Sequence, residues 1–286
     1  MRRDDDLTGS TTASRTHWDA FWSGKRPVEE IYETGDRIVR ALTQVVDPRG
    51  KWVLEVGAGS GRDSVRLARL GARAVALDYS TNSVRTVKRL ADAEGVKVWV
   101  VRADALRLPF RRGTFDVVFH QGLLEHFRDP IPLLQANVEV LRAGGYLVVD
   151  VPQKYHPYTL VKHLLMKMGR WFAGWETEFT VAELKDLICR VGLVPVLQYG
   201  DWMHPSLAYR GLRLALLRFG VRLPMYPRGI PVVRAVRGKL RSWAKSKRWS
   251  FWTFLDIGVI ARYPEGGEAV VGQQVAGADR SSPGSA

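Results

Sequence analysis

Val53-Leu54-Glu55-Val56-Gly57-Ala58-Gly59-Ser60-Gly61-Arg62 reads as a short apolar strand, a glycine-rich turn and the start of a helix. Glycine is required where the backbone turns tightly, takes a positive φ, or approaches a ligand with no Cβ in the way. Such a turn aims backbone N–H groups and a helix N-terminus at whatever lies in front of it. The spacing discriminates between ligands. A dinucleotide fingerprint, G-x-G-x-x-G, needs glycine at position 62, where Arg62 stands, and the third glycine comes one residue early at Gly61. Glu55, two residues before the first glycine, would repel a pyrophosphate. An ammonium or sulfonium group suits that acid better.

Working outward, short apolar runs alternate with helical stretches. Residues 51–56, 74–78, 96–102, 115–120, 146–150 and 194–199 read as strands, with a less regular last one at 253–263, and residues 62–70 and 82–94 read as helices. Thr180-Val181-Ala182-Glu183 has capping-box spacing and opens a helix to about residue 191, which Gly192 ends. Residues from Trp18 to about Val46 form an N-terminal helical cap. Strands buried on both faces and separated by helices predict an α/β fold with a largely parallel sheet.

The motifs resemble, in order, those of the class I S-adenosylmethionine-dependent methyltransferases. The first is an acid, one residue, then G-x-G-x-G, here Glu55, Gly57, Gly59 and Gly61 with Ala58 between. Asp78 ends the second strand where the family's acid binds ribose hydroxyls, and Tyr79 beside it can stack on adenine. Asp104 matches the acid that accepts from the adenine amine, with the Ala105 backbone near the ring. Gln121 follows the fourth strand, Leu124-Glu125-His126 comes next, and Leu141-Arg142-Ala143-Gly144-Gly145 matches the turn into the fifth strand. The likeness covers about residues 50–150 and points to the subgroup with quinone-pathway and other small-molecule enzymes. It implies a Rossmann-like fold, a seven-stranded, mostly parallel sheet with a reversed last strand, plus a helical insertion. The implied cofactor-binding set is Glu55, Gly57, Ala58, Gly59, Gly61, Asp78, Tyr79, Asp104, Ala105 and Gln121.

Methyl transfer from a sulfonium is an in-line displacement, so the protein mainly aligns the acceptor and excludes water. His126 is the candidate catalytic residue, facing the acceptor as base or orienting group; His120 reads better as structural. No carboxylates or histidines cluster at ligand spacing, so no metal is expected. Asn-Pro-Pro-Tyr is absent after the fourth strand, which disfavours an amine acceptor. Cys189, the single cysteine, lies on an apolar helix and reads as core. A reducing cytoplasm fits one cysteine, and the N-terminus shows no signal-peptide pattern.

Residues 152–178 are expected to form a lid. Within 160–172, Lys162, His163, Lys167 and Arg170 share one half of a helical wheel and Leu160, Leu164, Leu165, Met168, Trp171 and Phe172 the other, so the leucine half should face protein or acceptor. Residues 202–250 read as a basic helical insertion. The chain of 286 residues has 43 Lys+Arg against 29 Asp+Glu, a net +14, and this acid-free segment holds twelve of the cations. Arg234, Arg237, Arg241, Lys245 and Arg248 recur at helical steps beside Val233, Val236, Leu240 and Trp243, a pattern suited to an anionic membrane surface along residues 207–249. Nucleic acid is the less favoured partner. Tails at 1–15 and 265–286 are too polar to pack, leaving 16–264 as the methyltransferase domain. The reading is a methyltransferase for a small lipophilic acceptor, by O- or C-methylation, cytoplasmic with peripheral attachment at the membrane. Its rivals are an RNA methyltransferase and a noncatalytic, membrane-associated S-adenosylmethionine-binding protein.

Overall fold

β1 (Trp52–Val56) sits near the middle of the sheet with four of its five residues buried, as a strand covered on both faces must be. β2 (Arg73–Asp78) and β4 (Phe115–Gln121) flank it in parallel. β3 (Val98–Arg102) adds beyond β2, and β5 (Leu141–Pro152) beyond β4. β7 (Asp256–Arg262) runs antiparallel between β5 and β6 (Val194–Asp201), giving the order β3-β2-β1-β4-β5-β7-β6. This is the seven-stranded α/β sheet, reversed in its last strand, that the resemblance implied. The computed structural model describes residues 15–23, 35–169, 171, 176–202, 205–224, 231–245 and 247–266.

Among the described residues the helices are α1 (Arg15–Ser23), α2 (Arg37–Leu42), α3 (Arg62–Arg69), α4 (Thr81–Ala93), α5 (Ile131–Val140), α6 (Pro157–Lys167), α7 (Val181–Arg190), α8 (Leu207–Leu217) and α9 (Pro231–Lys245). Successive strand residues point to opposite faces of the sheet. Val53, Val117, Phe119 and Val148 accordingly pack with Ile38, Leu42 and Leu67 of α2 and α3. Leu54, Val118, Leu147 and Val149 pack with Leu133, Leu134 and Val138 of α5 and with Leu184 and Ile188 of α7. The capping box forms as expected: Thr180 Oγ1 accepts from the Glu183 N–H at 3.1 Å and Glu183 Oε2 from the Thr180 N–H at 2.8 Å.

Several local expectations are corrected. β5 begins at Leu141 rather than 146, because the Gly144–Gly145 pair is absorbed as an irregularity in the β4–β5 register instead of forming a separate turn. β7 begins at Asp256, after a 3-10 turn at Arg248–Trp252. Cys189 is exposed, since the core side of α7 is filled by Leu184 and Ile188. The N-terminal cap comprises α1 and α2, and residues 24–34 between them lie outside the described residues. So do Arg170, Phe172 and Trp175 of the lid, and nearly all of both tails.

The larger correction concerns which way two helices face. Lys162, on the polar half of α6, is only 3% exposed and pairs with Glu176 at 2.8 Å and Glu178 at 2.6 Å. Leu160 and Leu164 of the same helix are 75% and 59% exposed. On α9, Arg241 and Lys245 reach back to Asp201 at the end of β6, each at 2.6 Å, while Val236, Leu240 and Trp243 are exposed. The cause is the buried acids: a carboxylate out of water needs a cation beside it. Lys245 and Arg241 outweigh the effect of burial and hold the Asp201 carboxyl below its ordinary range. The side chains of Val233, Arg234 and Arg237 lie outside the described residues.

Candidate functional site

β1 to β6, apart from the reversed β7, all end at one edge of the sheet. A cleft of about 1010 Å3, counting its mouth, opens there, at the upper end of the ~300–1,000 Å3 usual for small-molecule sites. Its wall brings together Glu55, Gly57, Ala58, Gly59, Asp78, Tyr79, Asp104, Ala105, Gln121 and His126 from the ends of β1, β2, β3 and β4. Gly61 is not on the wall. It sits one step behind, at φ +68 where α3 begins, and a Cβ there would lie 2.6 Å from Val87.

The glycine turn is held against the neighbouring strand by Asp78. Its Oδ2 accepts from the Gly59 N–H at 2.8 Å and its Oδ1 from the Ser80 N–H at 2.8 Å. Burial raises its pKa, and these two N–H donors oppose the rise by stabilising the ionised form. The Ser83 hydroxyl and the Tyr79 N–H also favour its ionised form. Asp104 is fixed by accepting from the Leu106 N–H at 2.9 Å.

Glu55 is 5% exposed and accepts from Ser64 through Oγ at 2.5 Å and N–H at 3.2 Å. Burial, reinforced by the charge of Asp63, pushes its pKa up to about 8. Asp63 lines the same wall and is itself raised by burial, against the pull of Arg66. A positive charge placed beside this acidic pair would favour its ionised form.

His126 is buried, and its ring lies edge-on to Trp18, with centroids 4.9 Å apart. His120 lies outside the cleft wall. Its ring is completely buried and burial takes its pKa down to about 3, so it is a neutral core residue. Among the described residues no cluster of three His, Cys, Asp or Glu side chains is arranged to hold a metal ion.

Sequence reasoning missed the roof of the cleft. Trp18 and Trp22 of α1 both line it, and a Cβ on Gly59 would lie 2.5 Å from Trp22. Between them Asp19 Oδ1 accepts from the Ser80 hydroxyl at 2.6 Å and from the Thr81 N–H at 2.8 Å, tying α1 to the start of α4. Two tryptophans four residues apart flanking an acid were the available signal. A buried polar layer at the same edge was also missed: Arg37 donates to both Asp150 oxygens, at 3.0 and 2.7 Å, and reaches Asp256 at 3.1 Å.

Comparison with known proteins agrees with this geometry. A family model described as a methyltransferase domain matches residues 54–149. A Cereibacter sphaeroides protein described as a ubiquinone biosynthesis O-methyltransferase is 29% identical over 193 residues, covering 64% of this chain and 78% of that one. One of the same description from Parvibaculum lavamentivorans is 30% identical over 145 residues, 49% of this chain and 57% of its own. Among solved structures, magnesium protoporphyrin IX methyltransferase from Synechocystis with bound SAH superposes with a TM-score of 0.55 at 15% identity, covering 87% of this chain and 93% of that one. The 1,6-didemethyltoxoflavin-N1-methyltransferase of Burkholderia thailandensis gives 0.54 at 19%, covering 87% of each. A methyltransferase domain therefore occupies residues 54–149, in a chain that is similar to O-methyltransferases over nearly two thirds of its length and shares the fold of solved methyltransferases.

Proposed function

We propose that the cleft holds S-adenosylmethionine through the loop Gly57–Gly61 and Glu55, Asp78, Tyr79, Asp104, Ala105 and Gln121, and that the enzyme methylates an oxygen of a small lipophilic acceptor. The observation that carries this is the convergence of Glu55, Asp78 and Asp104 on one glycine-lined cleft. The donor fits its chemistry. The Glu55 and Asp63 wall suits a cationic group, the two oxygens of Asp78 suit a vicinal diol, and Asp104 can accept from an exocyclic amine. The donor, once bound, supplies an already activated methyl group. The acceptor oxygen forms the new C–O bond as the S–C bond breaks, and its proton must leave. His126 stands at the cleft wall as the group to receive it, oriented by Trp18. Oxygen is favoured as the acceptor atom by the description of the curated relatives as O-methyltransferases; carbon is the second choice. The workplace is the cytoplasm, with peripheral attachment at a membrane.

Calorimetric titration with S-adenosylmethionine tests the site. Asp78→Ala deletes charge-assisted hydrogen bonds of about 1.5–3 kcal/mol each and should weaken binding by at least about tenfold. Unchanged affinity overturns the assignment. A labelled methyl donor with a panel of soluble catechols and phenols tests the acceptor class, and label appearing only on RNA or on amines overturns it.

A further inference from the structure

Two helices of this protein turn some of their cations inward and leave large apolar side chains outward. On α6, Lys162 is held by Glu176 and Glu178, leaving Leu160, Leu164 and Met168 in solvent. On α9, Arg241 and Lys245 are held by Asp201, leaving Val236, Leu240 and Trp243 there. α8 adds exposed Leu212, Leu214 and Leu217. The exposed groups are linked. Tyr155, at the foot of α6, packs against Trp252 of the 3-10 turn with ring centroids 5.1 Å apart, and the Lys247 ammonium lies 5.1 Å from the Trp243 ring. A soluble surface rarely displays so many large apolar side chains in one region unless something covers them.

We propose that this surface docks onto an anionic lipid bilayer. Charge selects the occupant. Residues 202–250 contain twelve Arg and Lys and no Asp or Glu. With Arg241 and Lys245 engaged by Asp201, the cations of this segment left exposed include Arg218, Arg222, Lys239, Lys247 and Arg248. Tryptophans and leucines interspersed with solvated cations are what a helix lying in a headgroup layer presents. Trp243, Trp249 and Trp252 are planar and could stack on bases, but most of the exposed apolar side chains, Leu160, Leu164, Leu212, Leu214, Leu217 and Leu240 among them, are aliphatic and suit acyl chains better. A second copy would bring one acid-free surface against another of the same sign. No helix among the described residues is long and apolar enough to cross a membrane.

The topology gives the docking a purpose. α6 follows β5, α8 and α9 follow β6, and the 3-10 turn precedes β7, so all four stand at the edge of the sheet where the cleft opens. A lipophilic acceptor could then pass from bilayer to cleft without crossing water, a consequence that rests on the proposed function.

Flotation of the full chain with vesicles of phosphatidylcholine plus phosphatidylglycerol, compared with phosphatidylcholine alone, tests the proposal. Wild type should float with the anionic vesicles and be released by high salt. Leu164→Glu and Trp243→Glu should each lower partition by at least about tenfold, with S-adenosylmethionine affinity unchanged as the control for folding. Wild type that stays unbound, or variants that float like wild type, overturn the proposal. So does a sedimentation dimer, or a complex with single-stranded RNA, that the same variants disrupt. Lost flotation with methyl transfer to a soluble phenol intact counts against docking and membrane attachment but not against the methyl transfer; normal flotation with no donor binding counts against the methyl transfer alone.

Discussion

Glu55 is a carboxyl group whose charge depends on what lies beside it. With a pKa near 8 it is mostly protonated at pH 7, and a cation bound beside it would favour its ionised form. Donor binding should therefore release a proton, and affinity should rise with pH by up to about tenfold per unit below about 8. Titrations in buffers of different ionisation enthalpy measure the proton, and Glu55→Gln should flatten the profile. His120 behaves oppositely. Its folded pKa of about 3 lies below the ordinary 6.5, so the unfolded chain binds the proton more tightly. Its contribution to stability is complete above pH 6.5 and is lost as pH falls from there toward 3, by up to about tenfold per unit in the folding equilibrium. Urea denaturation at pH 7 and pH 5 should show a smaller difference in His120→Leu than in wild type.

At the scale of elements, one buried cation holds α2 to the ends of β5 and β7. Arg37→Ala would leave Asp150, 1% exposed, without its bidentate partner, and removing one member of a buried pair costs about 3–5 kcal/mol. Chemical denaturation should find that loss. α1 is held more lightly, through Asp19 at the start of α4. Asp19→Ala gives up capping interactions of about 1 kcal/mol and should loosen the roof made by Trp18 and Trp22. Stopped-flow measurement should show donor release about fivefold faster, on that energy, with the overall fold intact. Elements also show where pattern stops being informative. Periodicity correctly grouped Leu160, Leu164 and Met168 on one side of α6 and Lys162 on another. Which side turns inward was decided by Glu176 and Glu178, which reach Lys162 only in three dimensions.

Across the whole molecule, the parts legible in the sequence are those set by local chemistry. The turn Gly57–Gly61 needs positive φ at all three glycines; Asp78 ends β2 and Asp104 lies two residues past β3, and each accepts from an N–H two residues on. Such features follow from a few consecutive residues, and so did the sheet they imply. The roof left only the Trp18–Asp19–Trp22 spacing as a trace, and the Arg37 layer and the inward ion pairs of the two helices join residues from 14 to more than 100 positions apart, which no local pattern records. The donor proposed for the cleft should stabilise the fold that binds it. At a hundredfold excess over Kd the gain is about 2.7 kcal/mol, or a rise in Tm of roughly 5–10 °C at about 2–4 °C per kcal/mol. Differential scanning fluorimetry should show it, reduced in Asp78→Ala. Cys189 has one further consequence. It is the only thiol in 286 residues and it faces solvent, so protein stored without reductant is open to a single interchain disulfide, and a dimer that dithiothreitol dissolves is an artefact of handling. The same thiol accepts one maleimide fluorophore at a known place on α7, making wild-type protein ready for site-specific labelling without any substitution.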